Sequence, residues 1–99
     1  MAEKISDYNA GDYLKTPEDV AEYLELCFEE AQGDPGVIAA ALGNAARASG
    51  MSQVARETGL TREGLYKALS ADGNPNLYTI VKVLSALGLR MAVEPRRAS

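Results

Sequence analysis

The chain has 99 residues, one cysteine, no histidine and a formal net charge of −4, a length that buries a modest core without disulfides or metal. With no histidine it lacks the usual general base and the commonest zinc ligand, and Cys27 has no second cysteine to bond; metal sites and Ser/Cys-His catalysis are effectively excluded, and neither a cofactor nor an enzyme activity is expected. No apolar run reaches the roughly 20 residues that span a bilayer, and the start "MAEKISDYNAGDY" has no signal-peptide core, which points to a cytoplasmic protein without a membrane partner.

The charge is unevenly placed. Residues 1–34 hold ten acids and two bases (net −8), whereas residues 35–99 hold four acids and eight bases (net +4). Such asymmetry suggests different partners at the two ends, the basic remainder being compatible with a phosphate backbone. The plainer reading is that the acids only solvate an outer helix face.

In chain order, Thr16 is a good N-cap, with Pro17 at the first helical position and Asp19 completing a Thr-x-x-Asp capping box. Val20, Tyr23, Leu24, Phe28 and Ala31 then recur at helical spacing as an inward face, Cys27 reads as a small buried hydrophobe, and Gly33 is the stop. Glu18, Asp19, Glu22, Glu25, Glu29 and Glu30 give this first helix an acidic side. Asp34-Pro35 starts a second, alanine-rich helix with Val37, Ile38, Ala41, Leu42 and Ala45 on one face, ended by Gly50. Ser52 is placed to cap a short helix reaching Thr58, Gly59 breaks it, and Thr61 caps another that ends near Ser70. After the turn "ADGNPN" a fifth helix is expected, with Leu77, Ile80, Val83, Leu84 and Leu87 inward and Gly88 as its stop.

"LRMAVEP" alternates Leu89, Met91 and Val93 against Arg90, Ala92 and Glu94, the period of a half-buried strand. Its backbone needs a partner: the same strand of a second copy, the sheet of another protein, or the domain itself if it packs as an extended tail. The expected architecture is therefore all-α: a five-helix helix-turn-helix domain with an N-terminal amphipathic helix and a short C-terminal β-strand. One domain over 1–99 is expected, comprising an acidic segment and helix (1–34), a helix-turn-helix core (35–88) and a strand with a tail (89–99). Tyr8 and Tyr13 are candidates to anchor the leader on the domain or on a partner.

A helix-turn-helix needs a small residue at the helix crossing, a residue tolerant of positive φ in the turn, and apolar anchors under the second helix. Ala55, Gly59, Leu60, Leu65 and Ala68 meet these demands in order, with Val54 also inward. The helical period then leaves Arg62, Glu63, Tyr66 and Lys67 outward, with Thr61 at the helix start, as candidates to enter the major groove. Arg62 suits guanine O6 and N7, Glu63 suits cytosine N4, Tyr66 a thymine methyl or a phosphate, and Lys67 guanine or phosphate. Ser52, Gln53, Arg56, Asn74 and Asn76 are candidates for phosphate contacts. For each, the bland alternative is a solvated surface residue. Gly64, inside the reading helix, has two possible explanations: close approach to DNA or to a neighbouring helix.

From Met51 to Leu89, including "GNPNLYTIVKVLSALGL", the chain resembles the phage-repressor-like (Xre/Cro) helix-turn-helix family. More narrowly, "YLKTPEDVAEYL", "GDPGVIAAALGNAARASGMSQVARETGLTREGLYKALS" and "LGLRMAVEP" resemble the addiction module antidote proteins related to HigA-type antitoxins. The resemblance implies an antitoxin that binds a small RelE/HigB-like mRNA-cleaving toxin and represses the shared promoter as a homodimer on operator DNA. Phage repressors commonly carry glutamine where Met51 stands, and Gln53 is out of register with it. An RNA-binding toxin should be basic, so the resemblance also gives the acidic first helix a role in attracting and covering it. Two readings compete with this one: a free-standing prophage-type regulator and an interaction module that does not touch DNA.

Overall fold

A computed structural model describes residues 14–96. Tyr8, Tyr13 and the end of the "RRAS" tail lie outside the described residues. Five helices follow in order: α1 (Pro17–Ala31), α2 (Pro35–Ser49), α3 (Met51–Thr58), α4 (Arg62–Ala68) and α5 (Leu77–Ala86).

The caps explain most of these boundaries. Thr16 Oγ1 accepts from Asp19 N at 3.1 Å while Asp19 Oδ2 accepts from Thr16 N at 3.2 Å, the reciprocal box that starts α1. Asp34 Oδ1 accepts from Gly36 N at 2.9 Å to start α2. Gly50, at φ 110, ends α2 by donating to the carbonyls of Ala46 and Arg47, and also begins α3 by accepting from Val54 N. α3 therefore starts two residues earlier than expected, with Gly50 rather than Ser52 at its cap; extending the helix to Met51 places that side chain in the core.

One apolar cluster draws on all five helices, with Leu42, Ala45, Ala46, Leu65 and Val83 fully enclosed. α1 lies on α2, and α5 on α3. Cys27 is buried as expected. The crossing of α2 with the end of α4 is set by Gly43, where a Cβ would intrude on the carbonyl oxygen and Cβ of Leu69. No buried side-chain N or O among the described residues lacks a hydrogen-bond partner, which is what a well-formed core requires.

Two sets of expectations need correction. Among the described residues there is no strand, so the β-strand expected at the C-terminus is absent: the chain runs on after α5 without any ladder. A strand needs a paired neighbour, and an all-helical domain offers it no sheet edge. The alternation buries nothing either, since Met91 is 54% exposed and Val93 97%; only Leu89 packs on the core. The expected inward faces are also too wide. Phe28, Val37 and Leu77 are left exposed rather than buried, because each sits at the edge of its apolar stripe, where periodicity does not say whether a neighbour reaches over it.

Candidate nucleic-acid interface

α3, a glycine turn and α4 fit a helix-turn-helix. Ala55 and Val54 are buried on α3, Gly59 takes the left-handed conformation at φ 78, and Leu65 anchors α4 in the core. The turn is closed by backbone bonds from Gly59 N and Leu60 N to Ala55 O, at 2.9 and 3.2 Å, and Thr58 Oγ1 donates to the same carbonyl. Met51 is buried, so nothing at that position is free to hold a phosphate as a glutamine would.

α4 presents Arg62, Glu63, Tyr66 and Lys67 to solvent, as the period requires. Thr61 is the N-cap, its Oγ1 accepting from Gly64 N at 2.9 Å, which leaves the hydroxyl proton for an outside acceptor. Glu63 lies in the first turn of the helix, where a carboxylate favours the helix dipole whether or not it meets a base. A Cβ on Gly64 would meet only Thr61 Oγ1, at 3.0 Å. No neighbouring helix therefore demands a glycine at position 64.

The secondary candidates divide. Ser52 and Arg56 are exposed on α3, and Asn74 is exposed in the loop before α5. Gln53 Nε2 donates to Glu57 Oε2 at 3.2 Å, an exposed pairing along one helix that a stronger acceptor would displace. Asn76 caps α5, Oδ1 accepting from Thr79 N at 2.8 Å; its amide nitrogen alone is left for a phosphate. Among the described residues Arg56, Arg62 and Lys67 form no salt bridge, so their charge is not neutralised within the fold.

The sequence reading missed Arg47. Its guanidinium, at the end of α2, lies over the Tyr66 ring, 5.9 Å from the centroid, a cation–π geometry. The same guanidinium donates to Asn44 Oδ1, and Asn44 Nδ2 donates to the Tyr23 hydroxyl at 3.0 Å. A chain of contacts thus runs from α1 through α2 to the solvent-facing side of α4, and it adds a fourth cation beside Arg56, Arg62 and Lys67. The only sequence signal was a basic residue in the last turn of α2, which a helix dipole explains by itself.

On α1, Glu18, Glu22, Glu25, Glu29 and Glu30 are exposed, whereas Asp19 is half-buried and engaged in the capping box. The structure brings five of the six expected acids to an open surface and gives the sixth a structural task. Among the described residues no helix is long and apolar enough to cross a membrane, and no group of three His, Cys, Asp or Glu residues is arranged to hold a metal ion.

A family model described as "Probable addiction module antidote protein" matches residues 4–95. The chain belongs to that family. An uncharacterized protein of Haemophilus influenzae (strain ATCC 51907 / DSM 11121 / KW20 / Rd) is 42% identical over 97 residues, covering 98% of each chain. No solved structure matches the chain. The antidote-family match runs from before α1 to the extended segment after α5, so it takes in the acidic helix and the helix-turn-helix together.

Proposed function

We propose that this antidote-family chain is the antitoxin of a type II toxin-antitoxin module. In this reading it binds and neutralises a RelE/HigB-like mRNA-cleaving toxin in the cytoplasm and, as a homodimer, represses its own operon by reading operator DNA. It has no catalytic role. The observation that carries the DNA-reading half is the solvent-facing side of α4, where Arg62, Tyr66 and Lys67 stand exposed with Arg47 stacked over Tyr66. The family carries the other half, since an antidote needs a toxin, and the exposed carboxylates of α1 suit a basic one. In a dimer, two copies of α4 would meet successive major grooves, and the site would be a palindrome with half-sites roughly 34 Å apart.

The test is fluorescence anisotropy on the duplex upstream of the gene against a scrambled duplex, with salt varied. Preference for the upstream duplex is expected, and Arg62→Ala with Lys67→Ala should abolish it while reducing the salt slope by about 1 for each phosphate no longer neutralised. A folded protein with no preference at any salt would remove the DNA-reading half and leave an interaction module.

A further inference from the structure

Two of the apolar side chains that the core leaves exposed, Phe28 and Met91, share one surface depression with residues of the core. Leu24 and Phe28 of α1, Ile80 and Leu84 of α5, and Leu89 and Met91 of the segment beyond line one open groove of about 550 Å³. Phe28 is 37% exposed and Met91 54%, so its walls stand in water. Leu77 and Val81, both exposed, fall on the same stripe of α5 as Ile80 and Leu84 by helical spacing and extend the apolar surface along that helix. A contiguous apolar surface rimmed by polar groups is characteristic of an interaction site.

The rim says what kind of partner fits. Glu25 lines the groove, and Glu18, Glu22 and Glu29 share its stripe on α1, the four following one another at helical spacing and all exposed. Among the described residues none of these carboxylates forms a salt bridge. The opposite wall contributes one cation, Arg90. A second copy of the chain is a poor occupant, because an isologous contact brings the same patch from both sides and so sets net negative charge against net negative charge. An apolar ridge flanked by lysines or arginines satisfies both the groove and its rim.

We propose that this groove is where the toxin docks, and that it takes the apolar face of a basic amphipathic helix. Apolar side chains of that helix lie between α1 and α5, and its cations lie against Glu22, Glu25 and Glu29. The proposal rests on the antitoxin reading and adds the recognition chemistry. The mode is helix-in-groove, in which anchors at i, i+3 or i+4 and i+7 carry the contact. Phe28 and Met91 are its expected anchors on this side, and the carboxylates mainly set orientation and association rate.

The experiment titrates the full chain with the protein encoded in the adjacent reading frame, by calorimetry at low and high salt. Three variants run alongside: Phe28→Ser with Met91→Ser, Glu25→Lys with Glu29→Lys, and Glu57→Lys on α3 as a charge control. Binding by wild type is expected, weakened at least about tenfold by each groove pair and unaltered by the control, with the charge pair also flattening the salt dependence. Operator affinity should not move in either groove variant. The glutamate reversals touch only exposed side chains and so stay informative if the apolar pair unfolds. Wild-type binding that both groove pairs retain in full overturns the groove and leaves the antitoxin reading standing. No wild-type binding at all overturns both. Unchanged toxin affinity together with loss of self-association in sedimentation assigns the groove to a second copy instead, and that also overturns the proposal.

Discussion

At Gly43 one hydrogen atom separates α2 from α4, since any Cβ there would intrude on the carbonyl oxygen of Leu69. Gly43→Ala gains roughly 1 kcal/mol of helix propensity but forces two packed backbones apart, and overpacking of this kind costs about 1 to 3 kcal/mol. Net destabilisation is expected in urea unfolding, and because the displaced carbonyl lies at the end of α4, the proposed reading helix, operator affinity should fall with it. A variant as stable as wild type would show that the crossing has slack. Cys27 makes a second case at this scale. Burial raises its thiol pKa, a hydrogen bond from Tyr23 lowers it and the charge of Glu30 raises it, with a net rise above the ordinary 9.0. A raised folded-state pKa favours folding while the thiol is protonated. The contribution is therefore complete below pH 9.0 and is lost as pH climbs through the higher folded value. Ellman's reagent at pH 8 should react with the native thiol at least about tenfold more slowly than with the thiol in denaturant, and comparable rates would mean that α1 opens readily.

Among the elements, α4 has the least of its own to hold it. It has seven residues, shorter than an isolated helix tolerates, and depends on Leu65 in the core and the Thr61 cap. Thr61→Ala should cost about 1 kcal/mol in thermal or urea unfolding and should weaken operator binding by fraying the turn that carries Arg62. If Thr61→Ser restores stability and binding together, the hydroxyl acts as a cap; if it restores stability alone, the methyl group is read by DNA. Element identity was legible here because capping chemistry is local: Thr16 with Asp19, Asp34 and Thr61 each bond a backbone amide two or three residues on. Ser52 had the same chemistry and was passed over, since burying Met51 began α3 two residues early. The period-two pattern of Leu89, Met91 and Val93 misled for a related reason. Alternation marks a strand only where a second strand is there to pair with it.

For the whole molecule, the charge split visible in the composition becomes a division of surfaces. The carboxylates of Glu18, Glu22, Glu25 and Glu29 run along α1, while Arg47, Arg56, Arg62 and Lys67 belong to α2, α3 and α4. In the proposed reading, a chain acidic overall thereby brings local cations to a phosphate backbone. Coulomb steering acts over about a Debye length, roughly 8 to 10 Å at ordinary salt, so local charge governs the encounter more than the net value. The five helices, the glycine turn and the outward set of α4 were readable in the sequence, because caps and periodicity act over one to four residues and the chain carries them itself. Which stripe edges are covered was not. Phe28 and Leu77 are apolar at helical spacing and yet exposed, and Arg47 reaches a tyrosine 19 positions away. Those outcomes depend on how helices distant in sequence cross, and the crossing is set by contacts such as Gly43 against Leu69, formed only once the elements have met.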